Sequence, residues 1–147
     1  MHEPPEIQLA GLRKSFGPKL VLDGLDLSIA RGDSVVVLGK SGAGKSVLLK
    51  HLVGLLEPDT GTVAVQGEDL WTAPRSRRDE IRRRFGMSFQ EGALFDSMTV
   101  GENVAFPLRR HTRMTPAEVR GRVAECLALV RLHGIEERRP AELSGGM

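Results

Sequence analysis

The chain has 147 residues, 40% of them hydrophobic and 27% charged, which is typical of one folded domain and excludes an intrinsically disordered protein. A formal net charge of +2 is too small to indicate a polyanionic partner. With one Trp and no Tyr, the composition also argues against a surface that binds nucleic acid by base stacking.

Three further absences limit the expected location of the chain: an internal disulfide, a membrane-spanning run and a secretory signal. The single cysteine, Cys126, excludes an internal disulfide and is expected to pack against apolar neighbours. No apolar run approaches the roughly 18–20 residues that cross a bilayer. The N-terminus has neither the basic nor the apolar region of a secretory signal, so we expect a cytoplasmic chain.

The first part of the chain predicts an antiparallel β-layer. Alternating apolar residues in segments 7–12 and 21–29 indicate two half-buried strands, joined by a polar turn over residues 13–19. Residues 34–38 are apolar without alternation, which is the pattern of a parallel strand covered on both faces.

Next come a helix and a return to the layer. Residues 45–53 predict a helix, and Gly54 stands where a helix-terminating glycine is expected. Residues 62–65 predict a strand that rejoins the first layer, and residues 74–84 predict a polar surface helix.

The last third predicts helices after a short apolar run at 85–89. Residues 99–108 can form one helix, and Thr115 with Glu118 predicts a capping box at the start of another. One face of that second helix repeats apolar residues at steps of four and three, namely Val119, Val123, Leu127 and Val130.

The segment with the clearest chemistry is a phosphate-binding loop between a predicted strand and a predicted helix. Its residues are Gly39, Lys40, Ser41, Gly42, Ala43, Gly44, Lys45 and Ser46. Glycines allow backbone N–H groups to surround an anion, and the helix N-terminus adds a favourable dipole. Lys45 is expected to contact the β- and γ-phosphates, and the hydroxyl of Ser46 to bind Mg²⁺.

Two other features have weaker implications on their own. Gln90 follows the predicted strand at 86–89, where its amide oxygen could provide a second contact to Mg²⁺. Six arginines lie within residues 75–84. We interpret them as a solvated helix face, while a nucleic-acid interface is the alternative.

Taken in order, four features resemble the ATP-binding-cassette (ABC) family: Phe16, the loop at 39–46, Gln90 and the terminal segment Leu143, Ser144, Gly145, Gly146 and Met147. The terminal segment is similar to the family signature LSGGQ, with Met147 in place of Gln. The resemblance implies that Phe16 stacks on adenine, that residues 39–47, including Val47, bind ATP, and that Gln90 links Mg²⁺ to the transmembrane partner. It also implies that Ser144 and its glycines contact the γ-phosphate held by a second subunit.

Segments 89–100 and 102–108, the motif at 110–112 and the LSGGM ending resemble the subgroup that serves Mla/Mce-type lipid transporters. That resemblance implies a cytoplasmic ATPase on the inner face of a bacterial inner membrane. It would work as a head-to-tail homodimer under a transmembrane permease, together with substrate-binding and small regulatory subunits. The implied substrate is a phospholipid or a related hydrophobic molecule.

The family places its Mg²⁺-binding aspartate, catalytic glutamate and switch histidine after the signature. No residue follows Met147 in this sequence, so we assign no catalytic residue and expect weak nucleotide binding with little hydrolysis. The expected fold is α/β, a partial P-loop NTPase domain over residues 1–147. Its β-layer, loop and Gln90 occupy residues 1–98, and its helical segment occupies residues 99–147.

Three alternatives stay open at this point. The chain could belong to a cassette with another transported substrate, because other subunits choose the substrate. It could be a soluble cassette protein acting on nucleic acid or the ribosome through the arginines at 75–84, although a nucleic-acid partner is disfavoured. It could also be a nucleotide-binding remnant without enzymatic activity.

Overall fold

The computed structural model describes residues 4–89 and 92–147. The chain forms two compact units, Met1–Met87 and Ser88–Met147, which we call the sheet unit and the helical unit. The boundary between them precedes the division expected after residue 98. The α/β fold class is confirmed, with an antiparallel sheet in one unit and helices in both.

The sheet unit is built on a four-stranded antiparallel sheet. Its strands are β1 (Ile7–Phe16), β2 (Lys19–Ile29), β3 (Thr60–Val65) and β4 (Glu68–Asp69), in the order β2-β1-β3-β4. The predicted first pair and the return of a third strand to it are both confirmed. The connection between β1 and β2 is shorter than predicted, because the strands continue to Phe16 and resume at Lys19.

Two helices of the sheet unit share one hydrophobic core with the sheet. They are α1 (Lys45–Leu52) and α2 (Arg75–Arg82). Their shared core consists of Leu9, Leu12, Leu22, Leu48, Leu52, Val63, Val65, Leu70 and Ile81. Gly54 follows α1 with φ of 69°, which fits its predicted role at the helix end.

The two remaining strand predictions are wrong for the described residues. Residues 34–38 and 86–89 are in neither a helix nor a strand. Val36 is 77% exposed and Leu38 is 87% exposed, although the pattern predicted cover on both faces. A β-branched apolar run becomes a strand only when a neighbouring strand accepts and donates its backbone hydrogen bonds, and none of the described strands pairs with this segment.

The helical unit contains α3 (Val100–His111), α4 (Pro116–Leu129) and a 3₁₀ turn at Pro140–Glu142. The predicted capping box at Thr115 and Glu118 is confirmed, and a second one joins Thr99 to Glu102. Among the described residues, no helix combines the length and the apolar content that a bilayer crossing requires.

The predicted apolar face of α4 is confirmed for Val119, Val123 and Leu127, which are buried against α3 and Ile135. The prediction that Val130 belongs to this buried face is wrong, because α4 ends at Leu129 and Val130 is 63% exposed. Cys126 lies on α4 and is half-buried.

A prediction follows from the close approach of β3 to β1 at Gly61. A Cβ atom at Gly61 would lie 2.5 Å from the carbonyl oxygen of Gly11 and 2.6 Å from that of Ala10, at φ of +89°. We expect Gly61→Ala to lower the free energy of unfolding by about 3 kcal/mol, since backbone strain and steric overlap add together.

The matched control for that change is Gly32→Ala. Gly32 has φ of +87°, but nothing lies within 4 Å of its added Cβ, so only the strain of about 1–2 kcal/mol is expected. Urea unfolding of both variants measures the difference. Equal losses would contradict the proposed steric role of Gly61.

A candidate nucleotide-binding site

The loop at residues 39–46 has the backbone geometry that an anion cradle requires. Gly42 and Gly44 have φ of 78° and 92°, in the left-handed region that glycine adopts without strain. The N–H of Ala43 donates to the carbonyl oxygen of Lys40 at 3.2 Å, which turns the chain back on itself. The loop is thus a compact turn that leads directly into α1.

Gly44 is also the point where β2 touches the loop. A Cβ atom at this position would lie 2.9 Å from Val21 Cγ1 and 3.3 Å from Leu22 Cδ2. Glycine is therefore required at position 44 both for its backbone angles and for the space that β2 occupies. This contact fixes the loop against the β1–β2 hairpin.

The side chain of Lys45 donates hydrogen bonds to backbone carbonyl oxygens of the loop. Its ammonium nitrogen Nζ donates to the carbonyl oxygen of Gly39 at 2.7 Å and to that of Lys40 at 2.9 Å. An ammonium group has three N–H donors, and these contacts use two of them. The remaining donor can bind an oxygen of an anion that enters the loop.

The start of α1 favours the same kind of ligand. In the described part of the chain, no side chain caps this helix, and its first turn contains no acidic residue. The first N–H groups of the helix therefore have no competing carboxylate, and the helix dipole favours an anion there.

The next two predicted site residues differ in exposure. The Ser46 side chain is exposed beside the loop, where its hydroxyl oxygen is available to a cation. Val47 packs its side chain against the core of the sheet unit, so its backbone N–H is the group that can face a phosphate. Its carbonyl oxygen accepts from Nδ1 of the buried His51 at 2.7 Å.

Phe16 lies at the end of β1, at the same end of the hairpin as the loop. Its ring is 48% exposed, and the residue pairs with Lys19 across the hairpin. Val21, which contacts Gly44, lies two residues farther along β2, a rise of about 7 Å. The structure therefore brings an exposed aromatic ring and the loop to one edge of the sheet unit.

The remaining predicted site residues lie in the helical unit or outside the described residues. Gln90 lies outside the described residues. Leu143 is half-buried and packs against the core of the helical unit. The exposed segment that follows is a turn in which the N–H of Met147 donates to the carbonyl oxygen of Ser144 at 2.9 Å, with Gly145 and Gly146 between them.

One surface feature of the helical unit was missed from the sequence. Phe95 and Phe106 form a tilted aromatic pair with ring centroids 5.1 Å apart, and each is nearly half exposed. Asn103 fixes the preceding loop, since its side chain accepts from the N–H of Phe95 at 2.8 Å and donates to the carbonyl oxygen of Thr99 at 2.9 Å. A buried position for both rings would have been the ordinary expectation, and only the structure reveals the exposed pair.

Four of the six arginines within residues 75–84 contact other residues of the sheet unit. Arg77 donates to both carboxylate oxygens of Glu68, at 3.0 and 2.9 Å, and Arg78 stacks on Trp71 at 4.7 Å. Two more have polar partners in the same unit, Arg82 with Gly54 and Arg84 with Gln66. The prediction of a simple solvated face is therefore incomplete, and most of these cations already serve the fold.

Comparison with known proteins places these features in a family. A family model described as ABC transporter matches residues 22–147. The "Probable ribonucleotide transport ATP-binding protein mkl" of Mycobacterium tuberculosis is 48% identical over 141 residues, which are 96% of this chain and 39% of that protein. The chloroplastic protein trigalactosyldiacylglycerol 3 of Arabidopsis thaliana is 44% identical over 142 residues, 96% of this chain and 41% of that protein.

A solved structure agrees with the sequence comparisons. The dimeric post-hydrolysis state of the ATP-binding cassette MJ0796, bound to ADP and Pi, superposes with a TM-score of 0.82 at 31% identity. The match covers 95% of this chain and 63% of that chain, which confirms the expected cassette fold. The chain spans only 39% to 41% of the length of the two curated relatives.

Proposed function

The chain belongs to the ABC transporter family, and on that premise we propose that it is the MgATP-binding part of a transporter for phospholipid or a related hydrophobic substrate. The observation that carries the nucleotide assignment is the ammonium of Lys45, held by the carbonyl oxygens of Gly39 and Lys40 with one donor left for a phosphate. Family members couple ATP hydrolysis to transport, and we propose that activity for the protein to which this chain contributes.

The proposed ligand positions follow the geometry of the sheet unit. The triphosphate lies in the loop at residues 39–47, and the adenine stacks on Phe16. The exposed hydroxyl of Ser46 is a hard oxygen of the kind that Mg²⁺ prefers, so the donor chemistry fits the ion, and Gln90 is the second proposed ligand. When bound, the ion neutralises charge on the phosphates.

The proposed assembly is a head-to-tail dimer. Leu143, Ser144, Gly145, Gly146 and Met147 would contact the γ-phosphate held by the second copy. The exposure of Ser144 and of the residues after it supports this role, because a segment buried within its own chain could not reach another subunit. The related cassette solved as a dimer with ADP and Pi is consistent with such an arrangement.

The proposed membrane partner is a permease, which would hold the chain at the cytoplasmic face of a bacterial inner membrane. We place the permease contact at Phe95 and Phe106. An exposed aromatic pair, with Phe95 on a loop fixed by Asn103 and Phe106 on α3, is typical of a protein interface, where rigid aromatic residues contribute much of the binding energy. Substrate-binding and small regulatory subunits would complete a lipid-transport complex.

The lipid substrate rests on two kinds of support. One is the resemblance of residues 89–100, 102–108 and 110–112, and of the LSGGM ending, to the Mla/Mce-type subgroup. The other is the Arabidopsis relative, whose name contains that of a galactolipid. The mycobacterial relative is named for ribonucleotide transport, so a cassette with another substrate is the competing proposal. A nucleic-acid role loses support, because four of the arginines at 75–84 have partners within the fold.

A binding prediction tests the nucleotide assignment. We expect Lys45→Ala to weaken MgATP binding at least about tenfold, since it removes a charge-assisted hydrogen bond to phosphate. Lys50→Ala is the matched control, because Lys50 is exposed near the other end of the same helix. Isothermal titration calorimetry measures both, and equal affinities would contradict the assignment.

A second prediction concerns the permease contact. We expect Phe106→Ser to reduce recovery of a polytopic membrane protein with the tagged chain from its own cells by about tenfold, while MgATP affinity stays the same. Leu129→Ser is the control, since Leu129 is 79% exposed on α4. Unchanged recovery with Phe106→Ser, or an equal loss with Leu129→Ser, would rule out the aromatic pair as the contact.

A further inference from the structure

The end of β1 that contains Phe16 is paired with β2 along one edge but extends beyond β3 along the other. On one side it pairs with β2 up to Phe16 and Lys19. On the other side, the last pair with β3 is Arg13 with Thr60, so the final residues of β1 extend beyond the partner strand. Their outer backbone groups need another partner there.

Asp59, the residue before β3, supplies that partner. Its N–H donates to the carbonyl oxygen of Arg13 at 3.0 Å. Its carboxylate oxygen Oδ2 accepts from the N–H of Ser15 at 2.7 Å. The ladder between β1 and β3 is thus continued by a side chain up to the residue next to Phe16.

The second carboxylate oxygen of Asp59 holds a cation against the Phe16 ring. Oδ1 accepts from Nζ of Lys14 at 2.7 Å, and the Lys14 side chain is only 15% exposed. Lys14 and Phe16 are two residues apart in a strand and so lie on one face of it. Accordingly, the ammonium is 5.9 Å from the centroid of the ring, within the range of a cation–π interaction.

The surroundings of the Asp59 carboxylate favour its ionised form. The hydrogen bond from Lys14, and then the one from Ser15, hold the pKa of Asp59 below its ordinary value. Burial of the carboxylate raises its pKa and the charge of the Lys14 ammonium lowers it, each by less than the two hydrogen bonds do. Hydrogen bonds to an ionised acceptor are shorter and stronger than neutral ones, which suits a group that fixes another residue.

We propose that Asp59 is a positioning residue for the nucleotide base, which orients the Phe16 ring through the Ser15 backbone and the Lys14 ammonium. Lys14 lies against the ring, and the exposed part of the ring is left for a planar base. This inference rests on the proposed function, because Asp59 would orient the Phe16 ring that is proposed to contact the adenine. If Asp59 has this role, its substitution should weaken binding of the base and leave binding of the phosphates unchanged.

The test compares two ligands that share the triphosphate but not the base. We expect Asp59→Asn to weaken MgATP binding about fivefold, a part of what base stacking contributes, and to leave binding of inorganic tripolyphosphate unchanged. Asp59→Glu, which keeps the carboxylate, should recover part of the loss. Phe16→Ala should show the full loss for MgATP and none for tripolyphosphate.

The chain offers a matched control in Asp26. Its Oδ1 accepts from the N–H of Gly11 at 2.7 Å, which is the same kind of contact to β1 at a site away from Phe16. Asp26→Asn should therefore leave the ratio of the two affinities unchanged. Thermal melting of every variant separates loss of fold from loss of positioning.

Lys14→Met provides an independent variant in case Asp59→Asn does not fold. It should weaken MgATP binding selectively, while the backbone contacts of Asp59 persist. If Asp59 acts partly through Lys14, the double variant should lose less than the product of the two single losses.

Each remaining outcome has a distinct meaning. Equal weakening of both ligands by Asp59→Asn, or no weakening of either, overturns the positioning role. If Phe16→Ala leaves MgATP binding unchanged, the ring is not at the base, and the inference falls while the phosphate site stands. If the unmodified chain binds neither ligand, the proposed function itself fails.

Discussion

The contact of the Lys45 ammonium with the carbonyl oxygens of Gly39 and Lys40 is the interaction on which the site depends. These two hydrogen bonds place the positive charge of Lys45 inside the loop without any ligand. Because the lysine uses two of its three donors on its own backbone, its position is set by the chain rather than by the phosphate. Such preorganisation lowers the entropy that binding must offset.

A second constraint joins this loop to the rest of the sheet unit. The space beside Gly44 is occupied by Val21 and Leu22 of β2, so the loop packs directly against the β1–β2 hairpin. The hairpin ends at Phe16, whose neighbours are fixed by Asp59. In the proposed assignment, the groups that would contact the phosphates and the base therefore belong to one packed unit.

Much of this was predictable from local sequence. The loop at 39–46, the capping box at Thr115 and the buried face of α4 follow from short-range patterns, because backbone angles and helix periodicity are local properties. The strand predicted at 34–38 did not form, since strand pairing depends on a distant partner. Asp59 was unpredictable for the same reason, as its partners lie more than forty residues away, with separations of 44 and 45 positions.

The most direct test of the central claim is an NMR titration of the chain with MgATP and, separately, with inorganic tripolyphosphate. The account predicts that backbone amides of the loop at residues 39–47 shift with both ligands, and that ring resonances of Phe16 shift with MgATP alone. Unshifted loop amides, or shifts concentrated in the arginine segment at residues 75–84, would contradict it.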